Sequence, residues 1–152
     1  MAWYFLQTAM GCVGAVGFAI LFNTRGRKLL WVMLGSGLCW AVYLACVHFK
    51  QDRLLALFFA AAAAALISEV RARVLRAPVI ILLVPILIPL IPGGDLYYMM
   101  NYLVQQAYES FARYAQLVLG QAGAIALGII CVSSLVNVVT GVYARARRHK
   151  NR

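Results

Sequence analysis

The sequence has little charge of any kind and almost no acid. Charged residues make up 12% of the 152 positions, and Asp and Glu together number four. Apolar residues reach 64%, well above the roughly half that is usual in soluble domains. So few charged side chains cannot cover a surface that faces water. The composition therefore excludes an ordinary soluble domain and predicts one integral membrane domain over residues 1–152.

The sequence also lacks the motifs of common enzymes. It has no Gly-rich nucleotide loop, no Ser/His/Asp set within the apolar segments and no His/Cys spacing typical of a metal site. Its four cysteines stand singly in apolar segments, which predicts small buried side chains and no disulfide: Cys12, Cys39, Cys46 and Cys131. We therefore expect no enzyme activity, no cofactor and no metal. The opening MAWYFLQTAM has no basic region, so we expect no cleaved signal peptide.

Long uncharged segments predict an all-α membrane protein. About 20 apolar residues in a helix cross the hydrocarbon core of a bilayer. Five segments qualify, although the fourth is short and interrupted: about 2–22, 29–49, 54–70, 77–92 and 117–143. The 32 residues between Arg76 and Glu109 carry a single charge, Asp95. They are too many for one straight crossing and too few for two.

The basic residues predict the orientation. Successive loops carry 0, 3, 2, 3, 1 and 5 cations, and the positive-inside rule then places the N-terminus outside and the basic tail, 144–152, in the cytoplasm. This alternation requires an odd number of crossings, so we expect five spans, with 96–116 as an outer or interfacial segment. The net charge of +10 then faces anionic lipid. Nucleic-acid binding is the weaker interpretation, because the cations are scattered over the loops.

Small residues recur at every fourth position in the first and last predicted spans. Such faces allow helices to pack closely in lipid, but the pattern does not say against what. They comprise Gly11, Ala15 and Ala19, and Gly120, Ala124 and Gly128.

Prolines interrupt the fourth predicted span, in the stretch VPILIPLIPGGDLYYMMNY from Val84 to Tyr102. In a continuous helix, Pro85, Pro89 and Pro92 would lie on one face and would deprive three carbonyls, those of Ile81, Pro85 and Ile88, of their i+4 donors. Carbonyls freed at membrane depth must be satisfied by protein or water. We therefore expect the proline face to look into the protein or onto an aqueous cavity.

The Gly93-Gly94 pair is expected to end the interrupted helix. Glycines can adopt backbone angles closed to other residues, and successive N–H groups in such a turn can hold an anion. A helix starting near Leu96 would add the positive end of its dipole. Broken helices of this kind form substrate sites in secondary transporters. The predicted translocation site comprises Pro85, Pro89, Pro92, Gly93, Gly94, Asp95, Tyr97 and Asn101.

Simpler interpretations of these residues stay open. The break is also compatible with a kink at the outer interface, with Tyr97, Tyr98 and Tyr102 as an aromatic belt. Asp95 is a candidate to bind a proton or an ion, or to cap the next helix. Glu69 is a second candidate for ion coupling, or the partner of Arg71 or Arg73 in an interfacial ion pair.

Three stretches resemble the carboxy-terminal membrane half of the threonine/serine exporter family. They are GFAILFNTRGRKLLWVMLGS (17–36), SEVRARVLRAP (68–78) and VPILIPLIPGGDLYYMM (84–100). The most specific match is the P-x-x-x-P-x-x-P-G pattern with a following tyrosine: Pro85, Pro89, Pro92, Gly93 and Tyr97. The length and basic tail resemble the stand-alone form of that half, the small subunit of a two-component exporter associated with succinate efflux.

The resemblance implies an exporter of small carboxylate-bearing metabolites, either amino acids or dicarboxylates, in the bacterial inner membrane. It implies a partner, because family members combine this half with a second membrane half; a homo-oligomer is a further possibility. A partner of opposite orientation would give the inverted repeat used in alternating access. Two other functions stay open: a non-transporting assembly subunit that binds a partner through the small-residue faces, and a homo-oligomeric channel lined by freed carbonyls.

Overall fold

The computed structural model describes residues 2–49 and 51–150, and within them the side chains of residues 5–49 and 51–141. Lys50 and the side chains of the predicted basic tail, 144–152, lie outside the described residues. The described part is all-helical and contains no strand, which confirms the predicted class. Its elements are α1 (Ala2–Leu21), α2 (Arg27–His48), α3 (Arg53–Leu75), α4 (Val79–Leu87), a 3₁₀ turn (Ile88–Leu90), α5 (Gly93–Val104) and α6 (Tyr108–Lys150).

Three helices of the described part are long and apolar enough to cross a membrane: Arg27–His48, Arg53–Leu75 and Tyr108–Gly141. A fourth crossing is formed if Val79–Leu90 and Gly93–Val104, which meet at an angle of 65°, are taken as one broken span. The part of α1 whose side chains are described, Phe5–Leu21, is a shorter apolar helix. The chain is thus a multi-pass membrane protein.

Three helices end in the same left-handed cap. Asn23, Arg76 and Gln106 have φ values of 55°, 47° and 58°. After α5, the N–H of Ala107 donates to the carbonyl of Tyr102 at 3.0 Å, and that of Gln106 donates to the carbonyl of Leu103 at 3.1 Å. These two bonds define a Schellman motif, which satisfies carbonyls that the helix end leaves free. The cap turns the chain sharply, so that α5 and α6 form a helical hairpin.

Alanine packing forms the centre of the bundle. Four residues of the alanine run in α3 are fully buried: Ala60, Ala61, Ala64 and Ala65. The thiol of Cys39 on α2 donates to the carbonyl of Ala60 at 3.2 Å, so the helices approach closely there. All four cysteines are free, but Cys131 is exposed; its expected burial is wrong, because its face of α6 turns away from the bundle.

The small-residue faces pack inside the chain. A Cβ on Gly120 would lie 3.5 Å from Leu54, and one on Gly128 would lie 2.5 Å from the carbonyl oxygen of Phe58. Ala124 packs against the same core. Along this contact the residue numbers of α3 and α6 increase in the same direction, so the two helices run parallel. On α1, Ala15 and Ala19 are fully buried, and Gly11 lies against Pro89.

The last helix starts at Tyr108, nine residues before the predicted span begins. Its first turns carry Glu109 and Arg113. The predicted span is limited to uncharged residues, whereas a helix can continue through charged ones. The extra turns pair with α5 rather than with the bundle, and among the described residues the backbone of α5 comes close to that of no helix except α6. The ring of Tyr114 lies 5.7 Å from that of Tyr98 and 5.4 Å from that of Tyr102.

Candidate functional site

The proline break is tightened into a 3₁₀ turn. The N–H of Ile88 donates to the carbonyl of Pro85, and the N–H of Ile91 donates to the carbonyl of Ile88 at 3.2 Å. Both carbonyls were expected to be left without donors. That expectation is wrong for these two, because a 3₁₀ turn offers the i+3 N–H where proline removes the i+4 one. Freed backbone carbonyls are therefore not what makes this region polar.

Pro92 is the centre of an inverse γ-turn. Its φ of −76° and ψ of 60° match that turn, and the N–H of Gly93 donates to the carbonyl of Ile91 at 2.7 Å. Neither Gly93 nor Gly94 has a positive φ, so the expected use of glycine-specific backbone angles is wrong. What the glycines provide is space, because a Cβ on either would meet nothing within 4 Å.

Asp95 lies in the first turn of α5, whose N-cap is Pro92. The helix-cap alternative for Asp95 is therefore wrong. Its carboxylate instead joins three helices: Oδ2 accepts a hydrogen bond from Nε2 of Gln121 on α6 at 2.8 Å and lies 3.1 Å from a guanidinium nitrogen of Arg53 on α3. The Asp95 side chain is 17% exposed and that of Arg53 56%. The ion pair thus has one sheltered member and one that faces solvent or headgroups.

A cavity of about 170 Å³ adjoins this cluster. The break and Asp95 form one wall, and the other walls come from α2, α3 and α6: Trp40, Tyr43, Arg53, Leu57 and Gln121. Two buried polar atoms of these walls have no hydrogen-bond partner among the described residues, the indole Nε1 of Trp40 and the amide Oε1 of Gln121. A buried polar atom without a partner costs about 1–3 kcal/mol. Two residues of the lining thus carry one unused donor and one unused acceptor.

The structure brings together five of the residues predicted for the site: Pro89, Pro92, Gly93, Gly94 and Asp95. The other predicted residues lie elsewhere. Pro85 is fully buried in α4. Tyr97 is 67% exposed, and its ring lies 5.6 Å from that of Tyr98.

Asn101 accepts a hydrogen bond from Gln105 at 3.2 Å and does not line the cavity. Glu69 pairs with Arg73 at 3.2 Å. It lies 12 residues along α3 from Leu57, about 18 Å at the helical rise. Among the described residues, no three His, Cys, Asp or Glu side chains are grouped so as to hold a metal ion.

Four lining residues that carry polar groups are missed by the sequence interpretation. The sequence pattern presents Arg53 only as a loop cation, and Trp40 and Tyr43 only as members of an apolar span. Gln121 carried a usable signal, because it is one of only two amides in the uncharged run 117–143. A polar side chain at that depth normally has a partner or a function.

The comparison with family models gives one match. The model described as Threonine/Serine exporter, ThrE matches residues 7–135, which include α2–α5 completely and most of α1 and α6. No curated protein and no solved structure matches the chain.

Proposed function

The chain belongs to the threonine/serine exporter family, and we propose that it is one membrane subunit of a secondary transporter that binds the carboxylate of its substrate in the Asp95 cavity. The observation that carries this proposal is the polar lining of the break, where Arg53, Asp95 and Gln121 meet beside the unpartnered Trp40 N–H. The exporter works with a second membrane subunit in the bacterial inner membrane.

Arg53 is the residue proposed to hold the substrate carboxylate. A guanidinium can bind a carboxylate through two parallel hydrogen bonds, and the Arg53 side chain is more than half exposed. The indole N–H of Trp40 offers another donor, and the N-terminus of α5 adds a partial positive charge. These groups converge on the 170 Å³ cavity from three elements.

The acceptors of the cavity favour an amino acid over a dicarboxylate. Oε1 of Gln121 is unused, and Asp95 is negatively charged when ionised. Both can accept a hydrogen bond from an ammonium group, whereas a second carboxylate would be repelled by Asp95. We therefore propose a small zwitterion such as threonine or serine as the first candidate, and a succinate-like dicarboxylate as the second.

Asp95 is proposed as the proton-coupling residue. A substrate carboxylate that binds Arg53 competes with Asp95 for the same guanidinium. The substrate ammonium then replaces Arg53 as the partner of Asp95, and once the substrate has left, a proton takes the place of that ammonium on the sheltered carboxylate. Glu69 is less suited to this role, because it remains paired with Arg73 at the other end of α3.

The parallel packing of α3 and α6 supports five crossings. Two parallel spanning helices enter from the same face of the membrane, so the chain between them must return across it once. Val79–Leu90 and Gly93–Val104 together provide that return. With the cation pattern, this supports an N-outside, C-inside topology. The cavity then lies toward the outer face, because Leu57 is 14 residues, or about 21 Å, from Arg71 on the cytoplasmic side.

The role of an assembly subunit has less support. It would use the small-residue faces to bind a partner, yet Gly120 and Gly128 lie against α3 of the same chain. The channel alternative is weakened too, because the carbonyls of Pro85 and Ile88 are hydrogen-bonded.

Proteoliposomes that contain this chain and its partner subunit, loaded with labelled threonine or succinate, test the proposal. We expect gradient-dependent efflux to fall at least tenfold in Arg53→Gln. Arg113→Gln is the matched control, since it removes a cation that does not line the cavity. Unchanged efflux in Arg53→Gln, or an equal loss in both variants, would contradict the assigned site. Efflux of succinate but not threonine would select the second substrate.

A further inference from the structure

A second cavity lies on the opposite side of α3 from α6, between α2 and α3. It has a volume of about 230 Å³ and is lined by Trp31, Leu34, Gly35, Leu38, Leu66, Ile67, Val70 and Arg71. Arg71 is its only charged member. The cavity is a groove that opens onto the lipid-facing surface, because four of its lining residues are each about half exposed: Leu34, Leu38, Leu66 and Val70.

The guanidinium of Arg71 is oriented but has free hydrogen-bond donors. Its central carbon lies 3.5 Å from the centroid of the Trp31 ring, a cation–π contact that fixes the guanidinium plane. Arg71 makes no hydrogen bond or ion pair within the described residues. The nearest acid in sequence, Glu69, is paired with Arg73. The N–H groups at the edge of the Arg71 guanidinium are therefore available to an anion.

The groove has one basic end and one apolar end. From Trp31 and Arg71 it runs seven residues along α2 to Leu38, about 10 Å at the helical rise. Arg27 and Lys28 precede Trp31 by four and three residues, which places them on the same side of α2 at the basic end. A cluster of cations thus lies at one end of an apolar groove. This arrangement matches an amphiphile that has an anionic headgroup and a hydrocarbon tail.

The width of the groove fits a single hydrocarbon chain. Spread over about 10 Å, its 230 Å³ corresponds to a cross-section of roughly 23 Å². A packed helix, with a diameter of about 10 Å, needs several times that area. A transmembrane helix of a partner would therefore lie on the rim of this groove and leave it unfilled.

We propose that this groove binds one anionic phospholipid, whose phosphate is held by Arg71 and whose acyl chain lies between α2 and α3. Guanidinium groups bind phosphate through paired hydrogen bonds, and basic pockets between membrane helices on the cytoplasmic side suit anionic headgroups. A zwitterionic headgroup would bring an ammonium group toward Arg27 and Lys28, so the site discriminates by charge. The proposal does not depend on the transport site, which lies at the other end of the bundle.

Native mass spectrometry of the full chain in detergent tests it. The chain is titrated with phosphatidylglycerol and, separately, with phosphatidylcholine that has the same acyl chains. We expect the first to bind at least fivefold more tightly. Arg71→Gln should reduce this preference to near unity, and Arg73→Gln should leave it within twofold of the unmodified chain, because Arg73 is paired with Glu69 and does not line the groove.

Tryptophan quenching locates the lipid. In a variant whose only tryptophan is Trp31, brominated phosphatidylglycerol should quench at least threefold more strongly than brominated phosphatidylcholine, and Leu38→Trp in the unmodified chain should weaken lipid binding by filling the groove. Circular dichroism checks that each variant is folded. Equal quenching by both lipids, or an equal loss in the Arg71 and Arg73 variants, would overturn the proposal. Absence of quenching by either lipid would show that protein covers the groove and would overturn it as well.

Discussion

The backbone of Phe58 occupies the place where a side chain at Gly128 would have to go: an added Cβ would lie 2.5 Å from the Phe58 carbonyl oxygen and 3.1 Å from the amide nitrogen of Ala62. Backbone atoms in a helix cannot step aside as the end of a flexible side chain can. The contact therefore fixes how closely α6 approaches α3.

Gly128→Ala should consequently lower the free energy of unfolding by about 1–3 kcal/mol, the usual cost of overpacking. Gly123→Ala is the matched control on the same helix, because its Cβ would meet nothing within 4 Å; it should be neutral or gain up to about 1 kcal/mol from helix propensity. Reversible unfolding in mixed micelles measures both. Equal stability of the two variants would show that the helices separate more easily than their packing indicates.

Gln121→Leu should separate stability from transport. Leucine removes a buried acceptor that has no partner, but it also removes the hydrogen bond that the amide donates to Asp95. These two effects are of similar size and opposite sign, so stability should change by no more than about 1 kcal/mol. Efflux should fall at least tenfold, because the amide lines the substrate cavity. Gln116→Leu, at an exposed position of the same helix, serves as the control in both measurements. Loss of stability with normal efflux would indicate that Gln121 is structural.

Filling the cavity with a new side chain at Gly93 should also stop transport. In Gly93→Leu the new side chain extends into open space, so the fold should tolerate it while the cavity loses volume. Combined with Asp95→Asn, it should reduce efflux to background. The isosteric Asp95→Asn alone should abolish the dependence of efflux on a pH gradient. Normal gradient-dependent efflux in the double variant would refute the site.

Thiol labelling tests the depth and the side of the cavity. In a chain without its native cysteines, Gly93→Cys should react with a membrane-impermeant maleimide added from outside, and substrate should protect it. Tyr97→Cys, on the exposed part of α5, should react with or without substrate, whereas the fully buried Leu82→Cys should not react. Labelling of Gly93→Cys only from the cytoplasm would reverse the proposed orientation.

The cap of α5 offers a stability test away from the site. Gln106 has a φ of 58°, which costs a residue with a side chain about 1 kcal/mol or more. Gln106→Gly should therefore stabilise the protein by up to about 1 kcal/mol. Gln105→Gly, where φ is −77°, should destabilise it by about 0.5–1 kcal/mol. The difference in unfolding free energy between these neighbouring variants is the quantity to measure.

The helical class and the position of the break could be predicted from the sequence, because they depend on local quantities: the length of uncharged runs and the missing N–H of proline. Pro89, Pro92, Gly93, Gly94 and Asp95 follow one another closely, so their proximity was also predictable. Arg53 and Gln121 are 68 positions apart. Only the packing of α6 along α3 brings them to the same carboxylate, and no local pattern contains that information.

The hydrogen bonds of the proline carbonyls could not be predicted for a related reason. The loss of i+4 donors follows from proline alone, but the i+3 bonds that replace them depend on the backbone tightening at Ile88. Similarly, a Gly-Gly pair predicts unusual angles when it is considered alone. The γ-turn at Pro92 changes the chain direction first, and the glycines are left to keep the cavity open.

The antiparallel pair formed by α5 and the first turns of α6 has a mechanical consequence. Among the described residues, α5 is held to α1–α4 by the covalent chain at Pro92 and by the Arg53–Asp95 pair, whereas α6 packs along the whole contact with α3. Dissolving the ion pair therefore leaves α5 tethered at Pro92 and to α6, while the long helix stays in place. A molecule small enough to compete for one guanidinium would thereby loosen the short arm of the hairpin without moving the long one.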